Sequence, residues 1–196
     1  MRVRLALALA LALLPTAALA HAGHGDAAGL LDGFMHPIGG LDHVLAMIAV
    51  GILAFVLGGR ALWFTPLAFV GMMAVGFLIG VAGAHLPFVE LGIALSSIVI
   101  GGVAALGRPL PVAAAMGLVG VFAIFHGQAH GTEMPAGALG VEYALGFLVA
   151  TALLHLAGIG AATGMAKLVG RYGKPAAQVA GGLFALGGLG ILAGWL

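Results

Sequence analysis

The chain has 196 residues, of which 63% are hydrophobic and 7% are charged, and its net charge is +1. A soluble domain carries about 25% charged residues, and so small a globule cannot bury such an excess of apolar side chains. Lipid must therefore be the solvent for most of the chain. The absence of cysteine excludes disulfides, thiolate metal sites and cysteine nucleophiles, and the charge gives no reason to expect a nucleic-acid partner.

The first twenty residues have the pattern of a signal peptide. A basic start precedes the apolar run Leu5–Leu14, and Ala18–Ala20 supplies the small residues of a cleavage site. We expect cleavage before His21, which leaves residues 21–196 as the mature domain; an uncleaved anchor helix is the alternative. Cleavage implies a bacterial inner membrane protein whose new N-terminus lies outside.

Six apolar runs follow a short glycine-rich stretch at 21–35, which we expect to be a flexible external lead-in. Each run approaches the ~20 residues that a helix needs to cross a bilayer. The predicted spans are 41–58, 62–84, 88–107, 110–130, 138–163 and 175–195. The predicted fold is therefore an all-α, polytopic membrane bundle of six transmembrane helices.

Basic residues predict the orientation of this bundle. After the signal peptide they occur only in the first, third and fifth loops. They are Arg60, Arg108, Lys167, Arg171 and Lys174. The positive-inside rule places these loops in the cytoplasm and both mature termini outside, in agreement with cleavage of a signal peptide.

Acids and histidines follow the opposite distribution. All the acids map to the external side or to the outer ends of spans. They are Asp26, Asp32, Asp42, Glu90, Glu133 and Glu142. Of the eight histidines, only His155 lies deeper. The positive-inside rule does not explain such a rim, whereas attraction and capture of a small cation does.

The first cluster of ionisable residues lies at the start of span one and contains His36, Asp42 and His43. The alternative is an interfacial turn with a carboxylate that the helix dipole stabilises. Three such groups at membrane depth favour function, and carboxylate with imidazole suits Ni²⁺, Co²⁺, Zn²⁺ or Mn²⁺. Met47, four residues after His43, offers a thioether ligand, although methionine in an apolar helix is usually packing.

The second cluster ends span four and contains His126, His130 and Glu133. Their spacing places them on one stripe of a helix. The alternative is hydrogen bonding to backbone at an interfacial helix end. Gly127 and Gly131 would let another span approach closely.

Other ionisable residues are candidates for a metal pathway. Glu90 and Glu142 stand at the outer starts of spans three and five, where a dipole-stabilised carboxylate is the alternative. His155 lies well inside span five as either a packing group or a pathway residue. His85 fits an exposed external loop, and His21 would form a chelate with the α-amine if cleavage occurs before it.

Two segments resemble the signature motifs of the HupE/UreJ family: HPIGGLDHVLAMIAVG at 36–51 and FHGQAHGTEMP at 125–135. The resemblance extends over nearly the whole chain. It implies a permease for nickel, sometimes cobalt. It also implies a metal site at His36, Asp42, His43, His126, His130 and Glu133.

The predicted function is transport of Ni²⁺, or of Co²⁺, across the bacterial inner membrane through a site between spans one and four. No catalysis and no prosthetic group are expected, and no P-loop motif is present. An intramembrane zinc hydrolase is the alternative, with His126 and His130 as ligands and Glu133 or Asp42 as general base. A haem subunit with axial His126 and His155 is a third.

The expected partners are the lipid bilayer and the divalent ion. Span six contains a series of glycines that could allow close packing of helices. They are Gly181, Gly182, Gly187, Gly188, Gly190 and Gly194. The sequence leaves open whether this contact lies within one chain or between copies in a homo-oligomer.

Overall fold

A computed structural model describes residues 26–196, with side chains from residue 29, and this part of the chain is helical without any strand. The helices are α1 Asp26–Gly39, α2 Leu41–Leu57, α3 Ala61–Val81, α4 Val89–Leu106, α5 Val112–Thr132, α6 Gly140–Val169 and α7 Gly173–Leu192, with a 3₁₀ turn at Gly170–Tyr172. The signal peptide, its cleavage site and His21 lie outside the described residues. The all-helical prediction is confirmed.

The observed boundaries follow the predicted spans closely, because long apolar runs in a chain with few charges leave little choice of element. Most ends fall within three residues of prediction, and the largest difference is α6, which continues to Val169 instead of 163. The expected flexible lead-in is wrong for residues 26–35, which belong to α1. In this helix Gly33 packs directly on the backbone of Tyr143 in α6.

The junction of α1 and α2 is sharply bent. The axis turns by 81° between Gly29–Gly39 and Leu41–Leu57, and Gly40 adopts an extended conformation at the break. Because α1 ends at Gly39 and α2 begins at Leu41, the single extended residue Gly40 makes the bend without a loop. The bend brings the residues of the first motif on both sides of it close together.

In the part of the chain that the structure describes, four helical stretches are long and apolar enough to cross a membrane, and there are five if the bent pair is one span. One of the four, Gly140–Leu192, has 53 residues, which at 1.5 Å each is about 80 Å, far more than a bilayer. It is divided by the 3₁₀ turn, and both halves pack on α2: Gly158 meets Ile48 and Gly187 meets Leu45. The stretch therefore doubles back on itself.

Glycine allows the helices to pack at backbone distance. A Cβ at Gly127 of α5 would overlap the Met73 carbonyl of α3, which confirms the predicted close approach at this position. A Cβ at Gly181 of α7 would lie 2.9 Å from the Gly101 carbonyl of α4. The predicted close contact of span six is thus formed within one chain at this glycine.

Candidate metal-binding site

The two motifs meet at one end of the bundle. The imidazole rings of His36, His43, His126 and His130 form a contiguous group, which we call the four-histidine cluster. Ring centroids are 4.6 Å apart for His36 and His130, 4.6 Å for His43 and His126, and 5.3 Å for His43 and His130. Four imidazoles from positions up to 94 residues apart in sequence (130 minus 36) therefore share one small volume.

Three helices position this cluster. His36 comes from the last turn of α1 and His43 from the first turn of α2, and the bend sets their rings 6.2 Å apart. His126 and His130 lie one turn apart on α5. The ring of Phe147 on α6 stacks on His130, with centroids at 4.5 Å and planes 3° apart, so packing fixes the orientation of that imidazole.

The outer side of the cluster is hydrogen-bonded through His36. Its Nε2 lies 3.0 Å from Glu133 Oε2, and its Nδ1 lies 2.8 Å from the Tyr143 hydroxyl. An ionised carboxylate can only accept, so Nε2–H donates to Glu133, and in the neutral ring the Tyr143 hydroxyl donates to Nδ1. Both nitrogens of His36 are therefore engaged.

The other carboxylate of the first motif holds His43. One oxygen, Asp42 Oδ1, accepts from the His43 backbone N–H at 2.7 Å and from His43 Nδ1–H at 2.9 Å. This assignment makes Nε2 the unprotonated nitrogen of a neutral His43 ring. Asp42 thus fixes both the orientation and the tautomer of its neighbour.

Exposure falls steadily from the rim of the cluster to its interior. The side chain of Glu133 is 51% exposed, those of Asp42 and His36 are 28% and 27% exposed, and that of His43 is 10% exposed. Residues His126 and His130 are fully buried. Both carboxylates and His36 therefore stand at the mouth of the cluster, and the other three imidazoles lie behind them.

The interior of the cluster contains buried nitrogen atoms without a hydrogen-bond partner. They are His43 Nε2, His126 Nδ1 and both ring nitrogens of His130. Buried polar groups in proteins are normally paired, and leaving one unpaired costs about 1–3 kcal/mol. Among the described residues no three histidine or carboxylate side chains are arranged to hold a metal ion, so coordination at this cluster would require side chains to move.

A further buried histidine, His155, lies next to the cluster. The ring of Phe69 contacts both His126 and His155, with centroid distances of 5.6 Å and 5.1 Å. Among the described residues neither ring nitrogen of His155 has a hydrogen-bond partner, and this residue borders a half-open apolar pocket of about 180 Å³ between α3 and α6. Met47 is fully buried in the hydrophobic core, which matches its packing interpretation.

The two remaining carboxylate candidates occupy different surroundings. Glu90 is exposed in the first turn of α4. Glu142 is half-buried in the first turn of α6, and its Oε2 would be 3.3 Å from a Cβ at Gly29 of α1. Among the described residues neither forms a hydrogen bond or ion pair with the four-histidine cluster.

Sequence reasoning missed four residues that contact the cluster: Tyr143, Ser96, Phe69 and Phe147. Ser96 Oγ lies 3.0 Å from His126 Nε2. The signal for Ser96 was available, because Ser96 and Ser97 are the chain's two serines and stand in the middle of an apolar span. Tyr143 and Phe69 carry no comparable signal, since aromatic residues are ordinary in a membrane helix.

Comparison with known proteins agrees with the motifs. The sequence model of a family described as HupE / UreJ protein matches residues 9–191. The protein called Protein HupE from Rhizobium leguminosarum bv. viciae is 46% identical over 182 residues, which cover 92% of this chain and 93% of that protein. No solved structure matches the chain.

Proposed function

Because this chain belongs to the HupE / UreJ family, we propose that it transports a divalent transition-metal ion across the bacterial inner membrane. Ni²⁺ is the first candidate and Co²⁺ the second. Imidazole nitrogen suits both ions, and the chain offers no thiolate that would favour softer metals. The ion is the cargo, and it binds between the helices of the two motifs.

The observation that carries this proposal is the set of unpartnered nitrogens in the four-histidine cluster. Unprotonated imidazole nitrogens are metal ligands, and at membrane depth such groups are expensive unless they serve a purpose. His43, His126 and His130 supply the interior ligands in this proposal. His36, Asp42 and Glu133 form the mouth that first meets the ion.

Capture begins at the exposed carboxylates. Glu133 and Asp42 attract a dication by charge, and their exposure makes them the first groups that it meets. For His36 to join as a ligand through Nε2, its hydrogen bond to Glu133 must open and the carboxylate must turn to the ion. The neutral ring must also change tautomer, so that the proton leaves Nε2 and Nδ1–H donates to the Tyr143 hydroxyl. His36 and Glu133 would then replace their mutual hydrogen bond with contacts to the ion, and neither group would be left without a partner.

We further propose that the domain crosses the membrane six times after removal of residues 1–20, with both mature termini outside. The bent α1–α2 pair, α3, α4, α5, α6 and α7 would be the six crossings. The distribution of basic residues supports this arrangement, and so does the close packing of both halves of Gly140–Leu192 on α2.

The inward path continues past Phe69 to His155 in this proposal. The Phe69 ring touches both histidines, so it would have to turn for an ion to pass. The unpartnered nitrogens of His155 offer the next ligand. Glu90 and Glu142 are further candidates for the outer path because of their positions at helix starts.

A hydrolase is the weaker reading of the same geometry. It would need a carboxylate free to act as general base beside a metal-bound water. Asp42 and Glu133 each already accept a hydrogen bond from a histidine of the cluster, so neither stands free of the ligand set.

Uptake of radioactive nickel into proteoliposomes tests the proposal. We expect saturable uptake by the wild type and loss of uptake in His43→Ala and in Glu133→Ala. His155→Ala should retain nickel binding but transport it more slowly. His85→Ala is the matched control, because His85 is an exposed histidine in the loop between α3 and α4, and it should transport as the wild type does.

Two results would overturn this function. One is the absence of uptake by a wild-type protein that retains stoichiometric nickel, which would point to an enzyme or a sensor. The other is equal uptake by the wild type and by both cluster variants, which would move the path away from the cluster.

A further inference from the structure

We propose that Ser96 is a positioning residue that fixes the tautomer of His126, so that Nδ1 of this imidazole faces the cluster as an unprotonated ligand. Ser96 lies on α4, and neither sequence motif includes it. The inference rests on the proposed metal transport and identifies a group outside the two motifs that prepares their site.

The argument starts from the single proton of the Ser96 hydroxyl. Ser96 Oγ donates to the Ile93 carbonyl at 2.5 Å. Its distance to His126 Nε2 is 3.0 Å. Because the hydroxyl proton is already given to the carbonyl, the oxygen can only accept from the histidine, and Nε2 must therefore carry the hydrogen.

A neutral imidazole with hydrogen on Nε2 has a lone pair on Nδ1. In His126 that atom is buried and has no hydrogen-bond partner. The His126 ring lies 4.6 Å from the ring of His43. The contact with Ser96 therefore leaves Nδ1 of His126 unprotonated, and this is the ring nitrogen that has no hydrogen-bond partner among the described residues.

The same arrangement is built a second time with a different partner. Asp42 accepts from His43 Nδ1–H and leaves His43 Nε2 bare and buried. Metal-ligating histidines generally donate their second N–H to an outer partner, which sets the tautomer and the ring orientation. Asp42 and Ser96 are such partners for neighbouring imidazoles, one charged and near the mouth, the other neutral and fully buried.

Ser97 provides a matched control. It lies on the same helix, is also fully buried, and its hydroxyl donates to a carbonyl of its own helix, Ala94, at 3.4 Å. No histidine contacts its oxygen among the described hydrogen bonds. Ser96→Ala and Ser97→Ala therefore remove the same atom from equally buried positions on one helix, and only the first should affect His126.

The experiment uses the full chain, purified in detergent and labelled with ¹⁵N-histidine. Long-range ¹H–¹⁵N correlation spectra of the metal-free protein identify the protonated nitrogen of His126, with His126→Gln for assignment. We expect Nε2–H in the wild type and in Ser97→Ala, and a mixture of tautomers in Ser96→Ala. Titration with Ni²⁺ should show a Kd about 10-fold or more higher for Ser96→Ala, as for other outer partners of metal ligands, and unchanged for Ser97→Ala.

A wild-type His126 with its proton on Nδ1 would overturn the proposal without any variant. Equal nickel affinity and equal spectra for the two serine variants would overturn it as well. If the wild type has the expected tautomer but neither binds nor transports nickel, the proposed function fails separately, because the spectra are recorded without metal.

Discussion

Gly33→Ala should move α1, and His36 with it, away from the four-histidine cluster, although Gly33 itself has no side chain that could bind a metal. Gly33 lies one turn before His36, and a Cβ built on it would overlap the Tyr143 carbonyl and lie 2.9 Å from Tyr143 Cα. Ordinary contact begins at 3.4 Å, so α1 must retreat by at least 0.5 Å from the Cα (3.4 − 2.9). Relief of the carbonyl overlap requires about 1 Å.

A displacement of this size is decisive for His36. Its hydrogen bonds to Tyr143 and Glu133 have lengths of 2.8 and 3.0 Å, and a contact of ~3.6 Å is no longer a hydrogen bond. We therefore expect both bonds to break and His36 to leave the cluster. The Kd for Ni²⁺ should rise about tenfold, which is ~1.4 kcal/mol, and overpacking should lower the free energy of unfolding by about 1–3 kcal/mol.

The assay is calorimetric titration of the purified protein with Ni²⁺, together with its thermal unfolding. Gly39→Ala is the control, because Gly39 lies on the same helix and a Cβ there has no neighbour within 4 Å. The control should bind nickel as the wild type does. If a folded Gly33→Ala protein binds as tightly as Gly39→Ala, α1 does not hold His36 in the way described.

Two other predictions concern pH and helix packing. Uptake should decline as pH falls from 8 to 5, because protons compete with metal for imidazole, whose ordinary pKa is ~6.5; constant uptake across this range would argue against histidine ligation. Gly127→Ala on α5 should lower the melting temperature markedly, because its Cβ would lie 2.8 Å from the Phe77 backbone nitrogen as well as overlapping the Met73 carbonyl. Gly117→Ala on the same helix has no neighbour within 4 Å and should not lower it, so equal melting temperatures would contradict the tight α3–α5 contact.

Most of the helical fold follows from composition, whereas α1 does not. Apolar runs of about twenty residues in a chain with 7% charge can only be membrane helices. Residues 26–35 contain two aspartates and two glycines in ten positions besides short apolar pieces, a composition typical of a loop. Their helix is supported by tertiary contact, since Gly33 and Gly146 allow α1 and α6 to touch at the backbone, and no local pattern reveals that contact.

The candidate site also has a part that the sequence predicts and a part that it does not. Ionisable residues in a membrane helix are conspicuous, so the motif histidines and carboxylates could be predicted from sequence alone. Their aromatic partners could not, because Phe69 and Tyr143 lie on α3 and α6 and are ordinary residues for membrane helices. Ser96 on α4 stands out as a polar residue, but the sequence does not show which histidine it contacts. Which residue holds which imidazole depends on distances between helices. The sequence also gives no reason to separate Glu142, which packs against α1, from Glu133, which bonds His36.

The hydrogen bonds of each imidazole in the free site affect how easily the proposed transport site could release a bound ion. A transport site must bind its ion strongly enough to select it and weakly enough to let it go. If no ligating nitrogen had a hydrogen-bond partner, binding of the ion would not have to break any hydrogen bond. His36 instead gives up its hydrogen bond to Glu133 to become a ligand, and a hydrogen bond to a charged group has a net value of about 1.5–3 kcal/mol. Recruiting His36 would thus weaken the complete site by roughly 10–100-fold relative to a free imidazole, and re-forming the His36–Glu133 bond would favour passage of the ion inward.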